Sequence, residues 1–237
     1  VFSTWDYTTM YLIEGEDKAV LIDTGTRCAD LDKIVGQITG KPLEVIVTHM
    51  HPDHAGCIKY FDKVWMHRAD TVLVPQHAAD YQGEFLYMEE GQVFDLGGRK
   101  LEVAWMPGHT PGSVVLLDKA NGDCYSGDAF GSGEVWLQCV PMSPIATFHE
   151  SCCRMEKLMK EGHIKDIWCG HYPYLKSSLP LAYIQTMIRI SHRLMNGDQE
   201  GSEPYSNYFI KMPPTARKLA EGRAMIVYDS TNIPEAR

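Results

Sequence analysis

The segment VIVTHMHPDHAGC, residues 45–57, most constrains how this chain of 237 residues folds. It places three histidines and one aspartate within six positions, directly after a β-branched run that predicts a buried strand. Side chains two apart in an extended segment point the same way, so His49 and His51 are expected to project together. Pro52 then turns the chain into a predicted helix, from which Asp53 and His54 leave in another direction. This geometry favours two adjacent metal ions over one.

Three further ligand candidates lie in glycine-rich turns at the ends of other predicted strands: His109 in MPGHTPGS, Asp128 in YSGDAF and His171 in WCGHYP. Glycine beside each candidate lets the backbone turn tightly. A lone histidine is more often an ordinary surface or core residue than a ligand. A chance cluster, however, would leave several polar rings at the edge of a core, each in need of a hydrogen-bond partner. Imidazole and carboxylate are also ligands that zinc prefers.

The predicted elements alternate between strand and helix early in the chain and form hairpins in its middle. Hairpin turns are predicted at residues 15–17, 97–98 and 121–122. Helices are predicted at 30–40, 53–61, 148–160, 180–195 and 216–221, and a last strand at 224–229. Residues 70–92 look irregular and 205–214 look like a linker. We expect mixed sheets covered by helices, in one domain spanning 1–237 with 172–237 as its extension.

Composition limits the partners. The net charge of -9 disfavours nucleic acid, whose phosphates require Lys and Arg, and no run of about 18 apolar residues predicts a membrane span. A small-molecule substrate is therefore expected, and the oligomeric state stays open. The seven cysteines include no CxxC pair and predict a reduced, cytoplasmic compartment. An exported form stays open as well, because the chain starts at Val1.

The motifs THMHPDH (48–54), PGHTPGS (107–113), SGDAF (126–130) and GH (170–171), preceded by VLIDTG (20–25), resemble in order and spacing the metal motifs of the metallo-β-lactamase superfamily. The resemblance implies an α/β (α+β) fold, a four-layer αββα sandwich of two mixed β-sheets flanked by helices. It implies two zinc ions, with iron or manganese as alternatives in one or both positions. The implied ligands are His49, His51 and His109 for one metal, Asp53, His54 and His171 for the other, and Asp128 as a bridge. Asp23 is implied as a buried group that orients the ligands.

The same resemblance implies a hydrolase in which a hydroxide bridging the two metals attacks the substrate, while Asp53 also shuttles a proton. Asp128 occupies the position where true β-lactamases of the family carry Cys or Ser. The chain is therefore placed in the glyoxalase II and lactonase-like branch, with a small ester, lactone or thioester as substrate. Phosphodiester hydrolysis, a mononuclear iron centre of the persulfide dioxygenase kind, and metal binding without catalysis are the alternatives.

Substrate specificity is expected to come from outside the motifs. The candidate pocket residues are Tyr81, Phe85, Tyr87, Tyr172, Tyr174, Lys176, Arg189 and Arg193, and the alternative for each is a core or solvated position. Among the histidines outside the motifs, His77 is the further candidate, because it lies in the irregular segment 70–92, which is expected to overhang the site.

Overall fold

The computed structural model describes residues 1–4, 7–207 and 211–234. The strands in these ranges are β1 (Phe2–Ser3), β2 (Thr9–Glu14), β3 (Ala19–Ile22), β4 (Leu43–Ile46), β5 (Lys63–His67), β6 (Glu84–Met88), β7 (Val93–Asp95), β8 (Lys100–Trp105), β9 (Val114–Asp118), β10 (Asp123–Gly127), β11 (Glu134–Trp136), β12 (Asp166–Cys169), β13 (Glu203–Pro204), β14 (Ala216–Glu221) and β15 (Ala224–Asp229). The α-helices are α1 (Leu31–Ile38), α2 (Pro52–Ala55), α3 (Val74–His77), α4 (Ile145–Lys160), α5 (Tyr172–Leu175) and α6 (Leu181–Met195). No helix of the described part is long and apolar enough to cross a bilayer.

The strands form three sheets. The first runs β1-β2-β3-β4-β5-β6, antiparallel as far as β3 and parallel from β3 to β6. The second runs β12-β10-β9-β8-β7, with only β10 and β12 parallel. A third, smaller sheet runs β11-β15-β14-β13. Both large sheets are therefore mixed, as predicted, and the third sheet is an addition that the motifs did not indicate.

Three buried clusters define the layers. Between the two large sheets, Val20 and Ile22 of β3 share a cluster with Leu101 and Val103 of β8. On the outer face of the first sheet, β3 and β4 pack against α1. On the outer face of the second sheet, β9 packs against α4, α6 and the strands β14 and β15. The order helix, sheet, sheet, helix is the predicted αββα sandwich. That the whole chain forms one domain stays a prediction, and the middle of the predicted linker, 208–210, lies outside the described residues.

The helix predicted at 216–221 is wrong: these residues form strand β14. Ala216 and Leu219 are the two buried side chains, and their spacing of three imitates a helix. The segment instead pairs in register with β15, with Glu221 opposite Ala224 across a two-residue turn. Gly222 makes that turn with φ +61°, a conformation that side chains other than glycine rarely adopt.

Other boundaries differ in detail. The helix predicted at 53–61 is only the short α2 followed by a 3-10 turn at Ile58–Tyr60. The segment 70–92, predicted to be irregular, has much regular secondary structure. It contains the end of a 3-10 helix at Arg68–Leu73, followed by α3 and β6. Helix α1 begins at Leu31, ends at Ile38, and receives no side-chain cap from Asp30. The three hairpin turns and the two long helices, α4 and α6, are confirmed.

Candidate metal centre

The candidate residues converge at one edge of the two large sheets. His49 and His51 follow the end of β4, and His54 lies in α2, which the turn at Pro52 begins. Asp128 directly follows β10, and His171 lies two residues beyond the end of β12. The remaining histidine, at position 109, is in the turn between β8 and β9. Because parallel strands end at a common edge, side chains distant in sequence meet there.

Two groups of ligand atoms result. The first group consists of His49, His51 and His109, and the second group of Asp53, His54, Asp128 and His171. Within each group, the ligand atoms lie within 4.8 Å of one another. Asp128 connects the groups, because its Oδ2 lies 3.9 Å from Nε2 of His109 and 3.3 Å from Nε2 of His171. The chain therefore brings all seven predicted site residues together. His49 and His51 lie in one group and Asp53 and His54 in the other, as alternation and the turn at Pro52 predicted. That these residues ligate metal stays a proposal.

Hydrogen bonds orient the rings of the first group. Nδ1 of His109 donates to the carbonyl of Trp136 at 2.8 Å, which leaves Nε2 as the lone-pair atom of the neutral ring. This Nε2 lies 2.9 Å from Nδ1 of His51. The Thr48 hydroxyl donates to Asp23, so it accepts from Nδ1 of His49 at 3.1 Å and leaves Nε2 of that ring free to face the group. Each ring thus offers one nitrogen inward.

Asp23 fixes the ligand loop through hydrogen bonds. Its Oδ1 accepts from the backbone N–H of Thr48 at 2.7 Å, and its Oδ2 accepts from Nδ1 of His54, also at 2.7 Å. Both side chains are buried, His54 completely. Nε2 of His54 consequently points into the second group, which is how a carboxylate fixes the tautomer of a ligating imidazole. The role that the resemblance implied for Asp23 agrees with these contacts.

The second group is dominated by two carboxylates. Oδ2 of Asp53 lies 3.5 Å from Nε2 of His54 and 3.4 Å from Nε2 of His171. Oδ1 of Asp128 lies 3.6 Å from the same nitrogen of His54, beyond hydrogen-bonding distance. Two carboxylates and two ring nitrogens therefore converge on one small space. A cation placed among them offsets the repulsion between the carboxylates.

The pKa values reflect the same division. Burial, reinforced by neighbouring imidazoles, lowers the pKa of His49 and takes that of His51 to about 3, so these rings are neutral at pH 7. Neutral imidazole is the form that binds metal. In the second group burial opposes charging of His54 and His171, but nearby carboxylates outweigh it and raise both pKa values, that of His171 to about 10. The raised pKa values thus reflect the negative charge of Asp53 and Asp128, which a bound metal cation would offset.

One observation of the structure supports metal binding by these donor atoms. Nε2 of His49, Nε2 of His54 and Oδ1 of Asp128 are buried and have no hydrogen-bond partner among the described residues. Buried polar atoms are normally partnered, so three orphans aimed at one space indicate a missing partner. Nitrogen and oxygen atoms of this kind suit zinc, and also iron or manganese.

Glycine at position 170 makes room for the second group. A Cβ there would lie 2.6 Å from Cε1 of His54 and would also collide with Oδ1 of Asp128. The backbone N–H of Gly170 donates to the carbonyl of Gly127 at 2.7 Å, which ties the ends of β10 and β12 together. The glycine in the sequence GH is therefore required by the close approach of two ligand candidates.

Two contributing residues were missed by the sequence reasoning. Asp70 is fully buried and accepts from the backbone N–H groups of Met50 and Gly112, at 3.0 and 2.5 Å, and from the Thr110 hydroxyl at 2.9 Å. It thereby links the loop of the first motif to that of the second. Thr8 is fully buried and donates to Oδ2 of Asp53 at 3.4 Å. Neither belongs to a motif, so no pattern indicated them.

The residues proposed for a substrate pocket divide into two sets. His77 is close to the centre, with its ring 5.8 Å from that of His51, and burial lowers its pKa. Tyr174 lies 5.8 Å from His171, ring to ring. Tyr81 and Phe85, in contrast, pack against the buried cluster that includes α1. They therefore take the core positions that were the alternative to a substrate pocket.

The cations of α6 do not face the centre. Arg189 pairs with Glu221 at 2.6 Å, and Arg193 pairs with Asp198 at 2.7 Å. Both pairs lie on the outer, solvated side of the helix. Lys176 caps the end of α5 in a left-handed conformation.

The arrangement of ligand motifs at the rim of an αββα sandwich defines a class of metal-dependent enzymes. The profile of the "Metallo-beta-lactamase superfamily" matches residues 3–138, more than half of the chain. The chain belongs to this superfamily. The predicted family is thereby confirmed.

The similar proteins include enzymes other than β-lactamases. It is 25% identical over 210 residues to the acyl-coenzyme A thioesterase MBLAC2 of Homo sapiens, covering 72% of this chain and 75% of the relative. It is 27% identical over 179 residues to a hydroxyacylglutathione hydrolase of Aeromonas salmonicida, covering 73% and 64% of the two chains. The crystal structure of TTHA1623 in a di-iron-bound form aligns with a TM-score of 0.60 and 26% identity over 77% of this chain and 96% of that one.

Proposed function

We propose that this protein is a two-metal hydrolase that cleaves small acyl thioesters, with ester and lactone hydrolysis as related reactions of the same site. The observation that carries the proposal is the adjacency of the two ligand groups, joined by Asp128. The similarity to an acyl-coenzyme A thioesterase and to a hydroxyacylglutathione hydrolase supports the choice of a thioester, because both named substrates carry that bond.

The proposed ligands follow the two groups. His49, His51 and His109 would hold one ion, Asp53, His54 and His171 the other, and Asp128 both. Zinc is proposed for both positions, since the donors are imidazole and carboxylate. When bound, such a pair of ions lowers the pKa of a water molecule and polarises the carbonyl of the substrate.

The chain itself supplies orientation and proton handling. Asp53 is the proposed proton carrier, because its side chain is one-third exposed and so faces both the second group and solvent. The Thr8 hydroxyl holds one of its oxygens, and Asp23 holds His54 in the tautomer that turns Nε2 toward the reaction. These fixed contacts reduce the reorganisation that the reaction requires.

The proposed partner is a small molecule, since the charge of -9 is unfavourable for nucleic acid. The proposed location is the cytoplasm. All seven cysteines are unpaired thiols, a condition that a reducing compartment maintains.

A substrate panel tests the reaction class. Zinc-loaded protein is assayed with acyl thioesters, lactones, aryl esters and bis-aryl phosphodiesters, and kcat/KM is compared across the panel. The proposal expects thioesters to be hydrolysed with the highest kcat/KM. Preference for the phosphodiesters, or one iron per chain with oxygen consumption on a persulfide, would overturn it.

A further inference from the structure

The segment from Tyr7 to Thr9 is held against the metal centre at two places. Thr8 donates to Asp53, as described above. The backbone N–H of Thr9 donates to the carbonyl of Gly170 at 2.6 Å, and the Thr9 hydroxyl accepts from the backbone N–H of Tyr172 at 3.1 Å. Both threonines are fully buried. The segment is thus a fixed wall of the site.

Tyr7, at the start of this wall, points away from the core. The residue is 51% exposed and its backbone has φ +65°. A bulky side chain rarely adopts this left-handed conformation, which is unfavourable unless surrounding contacts impose it. Strain of this kind is concentrated at functional sites, so it directs attention to what the Tyr7 ring contacts.

The ring of Tyr7 contacts that of Tyr174, with centroids 5.3 Å apart and planes at 60°. Tyr174 follows His171 by three residues in one helical turn, and its backbone N–H donates to the carbonyl of His171 at 3.1 Å. This spacing puts both side chains on one face, with their rings 5.8 Å apart. Tyr174 is 57% exposed. An aromatic surface therefore runs from His171 of the second group outward to solvent.

We propose that Tyr7 and Tyr174 form the binding surface for the apolar acyl group of the substrate. The inference rests on the proposed thioesterase function and names the part of the substrate that determines specificity. Two exposed rings in edge contact offer apolar area that an alkyl or aryl group covers favourably. Because the surface starts one ring away from a ligand candidate, its occupant lies next to the carbonyl that reacts, and of the two groups attached there the acyl group is the apolar one. A nucleotide at the far end of a long thiol carrier is too distant for this position.

The test separates the acyl group from the thiol. The kcat/KM of zinc-loaded wild type is measured for acetyl, butyryl, hexanoyl, octanoyl and benzoyl thioesters of N-acetylcysteamine, and for acetyl and octanoyl thioesters of coenzyme A. We expect kcat/KM to rise with acyl size on both thiols. In Tyr174→Ala the octanoyl and benzoyl values should fall about tenfold, chiefly through KM, because the ring no longer covers apolar area. The acetyl value should change little.

Three further variants complete the design. Tyr174→Phe keeps the ring and should keep the preference for large acyl groups, and Tyr7→Ala should weaken the preference in the same way as Tyr174→Ala. Val93→Ala removes an exposed apolar side chain from β7 and should leave the whole series unchanged. Metal content and melting temperature are measured for each variant.

The outcomes distinguish the two proposals. Two results would overturn the acyl-binding surface and leave the thioesterase proposal in place. One is a fall in kcat/KM in Tyr174→Ala that is the same for all acyl sizes. The other is a fall in kcat/KM for the large acyl groups in Tyr174→Phe as great as in Tyr174→Ala. A wild-type protein that is metal-loaded but hydrolyses no thioester would overturn the proposed function, and this inference with it.

Discussion

At the scale of single residues, the centre depends on groups outside the ligand set. Asp23 determines which nitrogen of His54 faces the second group, and Asp70 joins the loops of the first two motifs. All seven ligand candidates were predictable, because motifs at strand ends carry them. Thr8 and Asp70 were not, because their partners are 45 and 42 residues away or are backbone atoms that no pattern reveals.

Asp23→Asn should weaken metal binding by roughly 10- to 100-fold without unfolding the chain. An amide nitrogen facing His54 donates to Nδ1 and moves the ring proton to Nε2, which then cannot bind a cation. Zinc affinity is measured by competition with a chromophoric chelator. Asp118→Asn is the matched control, because Asp118 is an equally buried carboxylate that pairs with Arg99 on the second sheet. Equal affinity in Asp23→Asn and wild type would contradict the role of Asp23.

Asp70 should make stability depend on pH. Burial raises its pKa from 3.8 to about 6, so the folded state holds the proton more tightly than the unfolded state. Its contribution to the free energy of unfolding is therefore largest below pH 4 and falls as the pH rises to about 6, by up to about 3 kcal/mol. The difference between wild type and Asp70→Asn in urea unfolding should decrease over this window. A difference that does not change with pH would contradict the raised pKa of Asp70 in the folded state.

At the scale of elements, strand ends decide where the ligands lie, and strand pairing overrides local pattern. β14 contains good helix formers with buried residues three apart, but the in-register hairpin with β15 determines its structure. The hairpins around residues 97–98 and 121–122 were predictable because their glycines carry a local turn signal. The third sheet was not, because β11 joins β15 across some 90 residues of sequence.

Gly170→Ala should disable the second ligand group while leaving the elements folded. The added Cβ would meet His54 of α2 and Asp128 at the end of β10, so these side chains must move apart. We expect about half of the bound metal and nearly all hydrolysis to be lost, with the circular dichroism spectrum unchanged. Gly40→Ala is the control, because no atom lies within 4 Å of a Cβ there. Full metal content and activity in Gly170→Ala would show that the two ligands tolerate the displacement.

At the scale of the whole molecule, one buried cluster holds the two mixed sheets face to face, and two more attach the outer layers. Together they bring distant loops to one rim. The fold was predictable from motifs spanning residues 20–171, because their order implies the topology. The contacts of the polar cluster at the rim stabilise it only in part, since four of its buried atoms lack hydrogen-bond partners among the described residues. Metal binding should therefore contribute to the stability of the folded chain.

The measurement that tests the central claim is the metal content of purified wild type and of Asp128→Ala, determined by mass spectrometry alongside thioester hydrolysis. Oδ2 of Asp128 lies within 4 Å of Nε2 of His109 in the first group and of Nε2 of His171 in the second. The account predicts about two metal ions per chain in wild type. It predicts loss of one ion and of hydrolysis in Asp128→Ala. A single ion in active wild type, or two ions and full hydrolysis in Asp128→Ala, would contradict it.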